Sequence, residues 1–146
     1  MNSYQEMRRR QQAEVDALPL YWAFSEEQFD EILKELGLTR DDTDKLCNTW
    51  GGGFCLASDA DMIVTTLARH KAERIAAIHA DKTGLGFIKD MFISELRNHE
   101  YGYTLETEET VNACGFTEAE VEEDPRLKRG LETACKSIRE AEGFDF

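Results

Sequence analysis

Two long segments with helical apolar spacing, broken at Asp81-Lys82-Thr83-Gly84, constrain this chain more than any other feature. At 100° per residue, Ala60, Ile63, Val64, Leu67, Ile75 and Ile78 fall on one broad stripe. Phe87, Ile88, Met91, Phe92 and Leu96 make a second. A pleated strand, whose side chains alternate, cannot bury either pattern on one face. The spacing predicts a helix opened by Ser58 and Asp61 as a capping box, then a second helix from about Gly84 to Tyr101.

The stretch Ser58–Tyr103 also holds all three histidines. His70 and His79 are nine residues apart, point to opposite flanks and cannot chelate one ion together. Glu95 and His99 project onto the second apolar stripe, one turn apart. One reading makes them metal ligands or the acid/base dyad of an enzyme. The other makes them an internally satisfied pair that fixes helix packing, because buried polar groups are ordinarily hydrogen-bonded. Di-metal bundles place Glu and His three apart and draw such ligands from several helices. Only one pair is present here, so no metal, cofactor or catalytic residue is expected.

The rest of the chain reads as shorter helices with clear punctuation. Tyr4, Met7, Gln11, Val15 and Leu18 give an N-terminal helix stopped by Pro19. Leu20–Phe24 reads as a buried apolar connector. Ser25 with Gln28 forms a capping box, with Phe24 stapling onto Phe29, and Gly37 closes that helix. Leu36-Gly37-Leu38-Thr39 and Cys114-Gly115-Phe116-Thr117 read as two copies of one helix–Gly–apolar–Thr–helix turn, each followed by an acid at the capping-box position. Asp124-Pro125 opens a last helix lined by Leu127, Leu131, Ala134, Cys135 and Ile138. Gly143–Phe146 reads as a loose tail. Gly51-Gly52-Gly53 lacks the spaced glycines and lysine of a phosphate loop and reads as a turn into an extended Phe54–Leu56, with Tyr101–Leu105 as its pairing partner. Asp81-Lys82-Thr83-Gly84 matches the start of an ATPase phosphorylation motif, but it follows a helix rather than a buried strand.

With 146 residues and 41% hydrophobic content, the expected fold is all-α. We expect a single compact domain of five to seven helices with at most a minor two-stranded β pairing. Its parts are residues 1–18, 25–57, 58–103 and 104–142. No run approaches the ~20 apolar residues of a membrane span, and no apolar run follows Arg8-Arg9-Arg10 as in a secretory signal. Cys47, Cys55, Cys114 and Cys135 form no CxxC pair and read as reduced, mostly buried thiols in a cytoplasmic protein. A zinc site from Cys47, Cys55 and a histidine is the alternative.

The net charge of −13 is segregated. Residues 51–100 are nearly neutral, with seven acids and six bases, whereas residues 101–146 carry twelve acids and five bases. Glu106, Glu108, Glu109, Glu118, Glu120, Glu122, Glu123 and Asp124 occur with no Lys or Arg among them. Glu26, Glu27, Asp30, Asp41 and Asp42 form a second acidic set. Direct nucleic-acid binding needs cations and is disfavoured. A basic protein surface, such as a nuclease or nucleic-acid-binding cleft, is the partner this pattern suits. Solubility alone is the competing explanation.

The blocks Ala80-Asp81-Lys82-Thr83-Gly84, Gly86-Phe87-Ile88, Asn98-His99-Glu100-Tyr101-Gly102-Tyr103-Thr104 and Asp124–Gly130 resemble a family of small uncharacterised proteins of gut bacteria and their phages and mobile elements. The resemblance implies a bacterial or phage origin and carries no functional residue. A phage-borne inhibitor acting as a nucleic-acid mimic against a bacterial defence system fits both the resemblance and the charge.

Overall fold

Both periodic segments are helices, α3 (Ala60–Ala80) and α4 (Phe87–Asn98), in the computed structural model, which describes residues 1–143. Beyond Gly143 the expected tail lies outside the described residues. The fold is all-α with one small antiparallel sheet. The other helices are α1 (Ser3–Asp16), α2 (Glu26–Glu35), α5 (Tyr101–Thr104), α6 (Glu108–Ala113), α7 (Glu118–Glu123) and α8 (Pro125–Ala141). Among the described residues these eight α-helices include the single turn α5, and three short 3-10 helices lie between α2 and α3. By internal contacts the chain divides into two compact units, one of Met1–Gln12 with the chain from Ala72 onward, the other of Ala13–Lys71.

In the larger unit, α4 packs chiefly on α8. Ile88, Met91, Phe92 and Leu96 are fully buried with Leu127, Ala134 and Ile138, the stripes that the sequence places on these helices. The close approach requires Gly130, since a Cβ there would stand 2.6 Å from Ile88 Cγ2 and 2.7 Å from the Gly84 carbonyl oxygen. Gly84 itself has φ 87°, and a side chain on it would collide with the Arg126 carbonyl.

The break between α3 and α4 is organised by one carboxylate. Asp81 Oδ1 accepts from the backbone N–H of Thr83 (3.2 Å) and Gly84 (3.0 Å), and Oδ2 from Gly86 and Ile88 (3.0 Å each). A helix start leaves such N–H groups without partners, and an acid there also favours the helix dipole. Burial opposes ionisation of Asp81, yet the N–H groups of Ile88, Gly84, Gly86 and Thr83 together hold its carboxyl below the usual range. This is why α4 begins at Phe87 and not at Gly84. Arg126 closes the other side, donating to the carbonyls of Ile78 (3.1 Å) and Asp81 (2.9 Å) while paired to Asp124 at 3.1 Å.

The two glycine turns are local copies in their hydrogen bonds. Leu38 N–H reaches the Leu33 carbonyl and Phe116 N–H the Val111 carbonyl, with Gly37 and Gly115 at φ 72° and 89°. Thr39 with Asp42, and Thr117 with Glu120, then close full capping boxes.

In the smaller unit β1 (Leu46–Asn48) pairs with β2 (Phe54–Leu56). The expected partner Tyr101–Leu105 is instead the turn α5, between the left-handed residues Glu100 (φ 57°) and Leu105 (φ 60°). The Leu20–Phe24 connector is not core: Trp22 and Phe24 are exposed, Phe24 by 85%. Tyr21 forms a bridge to Phe54, which fixes the segment against the sheet edge and turns the flanking aromatics outward. Phe29 packs edge-on to Phe54 at 5.4 Å rather than against Phe24. Ser25 does cap α2, accepting from Gln28 N–H at 3.1 Å.

Two features of α3 depart from expectation. Ser58 lies inside a 3-10 turn, Ala57–Asp59, and so cannot act as the cap. Ile63, His70 and Ile78 are buried, but Val64 and Ile75 are exposed, because the covered face follows the 63–70–78 line and leaves the rest of the stripe outside. Within the smaller unit, Glu14 accepts from Arg69, and His70 Nε2 lies 3.1 Å from it. These bonds hold the Glu14 carboxyl at about 2, below its ordinary 4.5.

Asp81→Asn replaces one acceptor oxygen by a donor facing N–H groups, and urea unfolding should show a loss of about 2 kcal/mol or more at neutral pH. A lowered folded pKa stabilises above the ordinary 3.8 and is lost as pH falls through the folded value, so the difference from wild type should shrink below pH 3.8. By the same sign, the share of stability that Glu14 contributes should disappear between pH 4.5 and about 2, and Glu14→Gln should lack that part of the acid transition.

Candidate functional site

Glu95 is buried on α4, and Tyr4 from α1 donates its hydroxyl to Glu95 Oε1 at 2.6 Å. His99, the residue that ends α4, places Nε2 3.7 Å from Glu95 Oε2 and Nδ1 3.6 Å from Glu109 Oε2. A line Tyr4–Glu95–His99–Glu109 therefore runs from the core to the surface, its inner end buried and its outer carboxylate exposed. Thr110 also donates to the Glu95 backbone carbonyl at 3.4 Å.

The electrostatics of this line favour a fixed carboxylate. Burial raises the Tyr4 hydroxyl well above its ordinary value, and its hydrogen bond to Glu95 raises it further, so it stays a donor. Cys114 is pushed up to about 12, first by burial and then by the nearby Glu95 charge. A thiol so held is protonated at neutral pH and is not a nucleophile. Among the described residues, no three of His, Cys, Asp and Glu converge in a way that could hold a metal ion. The arrangement gives the buried acid a hydrogen-bond donor. Local spacing could not reveal Tyr4, which is 91 residues away in the chain.

The acidic residues separate into those with internal work and those without. Glu120 and Asp124 cap α7 and α8, and Glu122 pairs with Lys128 at 2.6 Å. Glu26 and Asp30 both hold Arg40, at 2.6 Å each, and Arg40 lies over the Phe29 ring. Asp42 closes a capping box and faces Lys45 at 3.4 Å. Glu118 has a long contact with the Thr107 hydroxyl (3.4 Å) and Glu109 faces His99, but both are exposed. Glu27, Asp41, Glu106, Glu108 and Glu123 are exposed without a hydrogen bond or ion pair described for their side chains. The 104–124 set lies wholly in the larger unit and the 26–42 set in the smaller.

Beside the larger set stands an apolar feature, in the segment expected to pair with Phe54–Leu56. Tyr103 is 93% exposed and Leu105 is 41% exposed in the left-handed region. A bulky residue in that conformation is a backbone outlier. Here it ends α5 and leads directly into Glu106.

The helices and the one small antiparallel sheet define an all-α protein. The chain belongs to a family of unknown function, DUF7659, which matches residues 3–137. No curated protein and no solved structure matches it. Among the described residues, no helix is long and apolar enough to cross a membrane.

Tyr4→Phe leaves Glu95 Oε1 buried without its donor and should cost about 1–3 kcal/mol in urea unfolding. Glu95→Gln, which retains an acceptor for Tyr4, should cost less than Glu95→Ala. An equal loss in both would show that the hydrogen bond is not what the carboxylate contributes.

Proposed function

We propose that the segment from Tyr103 to Asp124 is a protein-interaction surface that binds a basic partner. One observation supports this most: five of its carboxylates, on Glu106, Glu108, Glu109, Glu118 and Glu123, stay exposed after its caps and ion pair are accounted for, with no Lys or Arg in the segment. A surface that serves solubility alone intersperses both signs, as residues 51–100 do. Tyr103 and Leu105 supply apolar contact at the edge of this charge, and an aromatic anchor within polar surroundings is the usual make-up of an interface hot spot. The carboxylates supply orientation and association rate.

The narrower form of this reading is nucleic-acid mimicry. Carboxylates on short helices present negative charge to Lys and Arg much as phosphates do, and the resemblance to proteins of gut bacteria and their mobile elements suits an inhibitor of a host nuclease or defence protein. Direct nucleic-acid contact and a membrane have no place in it, since this surface lacks cations.

The test reverses only residues without a capping role. Glu106→Lys, Glu108→Lys, Glu118→Lys and Glu123→Lys together should cost no more than about 2 kcal/mol of stability, most of it from the first-turn acids Glu108 and Glu118. Against a basic protein captured by the wild type and then purified, titration calorimetry should show affinity falling about tenfold or more in this variant. It should also fall with added salt, which screens charge within ~8 Å at physiological strength. Affinity indifferent to both changes would leave solubility as the explanation of the charge.

A further inference from the structure

The register of the small sheet sets Cys47 directly opposite Cys55. Opposed residues of an antiparallel pair project from the same face. Phe54 exchanges both backbone hydrogen bonds with Tyr21 on its other side, at 2.9 Å each. Its N–H and C=O therefore point away from β1, and by ladder alternation Cys47 and Cys55 form the hydrogen-bonded pair, with Cα atoms about 5.5 Å apart. That lies inside the roughly 4.4–6.8 Å a disulfide spans. Both thiols are free; Cys55 is buried and Cys47 is partly exposed. The Cys55 thiol is raised first by burial and then by its neighbour Cys47.

The opposite face of the same hairpin has another task. Leu46, Asn48 and Phe54 line one wall of a cleft of about 710 Å³ that Ala23, Phe29 and Thr43 also line. The cysteines alternate with these residues along both strands and so sit behind that wall. Between them runs the turn Trp50–Gly52, and Gly53 lies so close to the Trp22 indole that a Cβ there would stand 2.8 Å from it.

We propose that Cys47 and Cys55 are a redox-modified dithiol, closed to a reversible disulfide by exchange with a small-molecule disulfide of the glutathione class, and that closure sets the hairpin wall of the cleft. Cys47, the accessible thiol, attacks as thiolate one sulfur of the small disulfide. A mixed disulfide forms at Cys47 and one small thiolate leaves, taking up the proton that Cys47 lost. Cys55 must first lose its proton, which its burial disfavours, so this step is the slow one. As thiolate it attacks Sγ of Cys47, and the second small thiolate leaves and takes up that proton. The protein dithiol loses two electrons and the small disulfide gains them. The opposed Cβ atoms of a strand pair start about 4.5–5.5 Å apart and must draw closer than in the reduced sheet, which makes the bond readily reversible.

The test uses the full chain at neutral pH with oxidised glutathione. The expected product is a protein lighter by two hydrogens, with a Cys47–Cys55 cross-linked peptide, restored by dithiothreitol. Cys55→Ser should stop at a single glutathione on Cys47, and Cys47→Ser should leave Cys55 unmodified. Trp22 and Trp50 are the chain's two tryptophans, so their emission should shift on oxidation of the wild type and stay constant in Cys47→Ser. A glutathione adduct that persists on wild-type Cys47 without a cross-link, or no reaction at all, would overturn the dithiol. So would cross-links to Cys114 or Cys135, which are buried in the folded protein. A cross-link with unchanged emission would overturn the coupling to the cleft wall.

Discussion

A single carboxylate, Asp81, sets where α3 stops and α4 begins. Four backbone N–H groups converge on it, three from the turn before α4 and one from Ile88 in its first turn. Arg126, reaching from α8, takes the carbonyls at the end of α3, so that donors and acceptors left over at both helix ends are met within a few residues. Gly84 and Gly130 let the backbones approach closely enough for this to happen. Burial of Ile88, Met91 and Phe92 against α8 follows from that geometry. The short blocks that carry the family resemblance include this cluster: Asp81, Gly84, Gly86, Ile88, Asp124, Arg126 and Gly130 all belong to them. Their shared role here is architectural.

Punctuation was the legible part of the chain. Ser25, Thr39, Thr117, Asp124 and the glycines at 37 and 115 act within three to five residues of themselves, and local sequence is enough to read them. The α8 stripe was legible because its polar face is unambiguous. On α3 the stripe misled, since Ala68, Ala72, Ala76 and Ala77 give the helix small apolar residues on nearly every side, and Val64 and Ile75 fall outside the covered face. Tertiary pairing was not legible at all. β1 joins β2 through a short turn rather than the more aromatic Tyr101–Leu105, and Tyr4 meets Glu95 across most of the chain.

The candidate surface shows the same division. Counting acids located the acidic segments but could not separate a carboxylate that caps a helix from one that faces solvent. Glu120, Asp124 and Asp42 are spent on backbone N–H groups of their own helices, and Glu26 with Asp30 on Arg40. An acidic residue at a helix start is thus weak evidence for a partner, because the helix itself offers it positive charge. Exposed Tyr103 and left-handed Leu105 stood outside any charge count, and it is their placement beside the remaining carboxylates that gives the surface a shape.

Both tryptophans lie within Ala13–Lys71, while most of the helical residues lie in the other unit. The chain therefore carries two separate optical reporters of its own cooperativity. Indole emission follows the smaller unit, and far-ultraviolet dichroism is weighted toward the larger one. Coincident denaturation curves from the two signals mean that the units unfold as one thermodynamic system; displaced midpoints mean an intermediate in which one persists without the other.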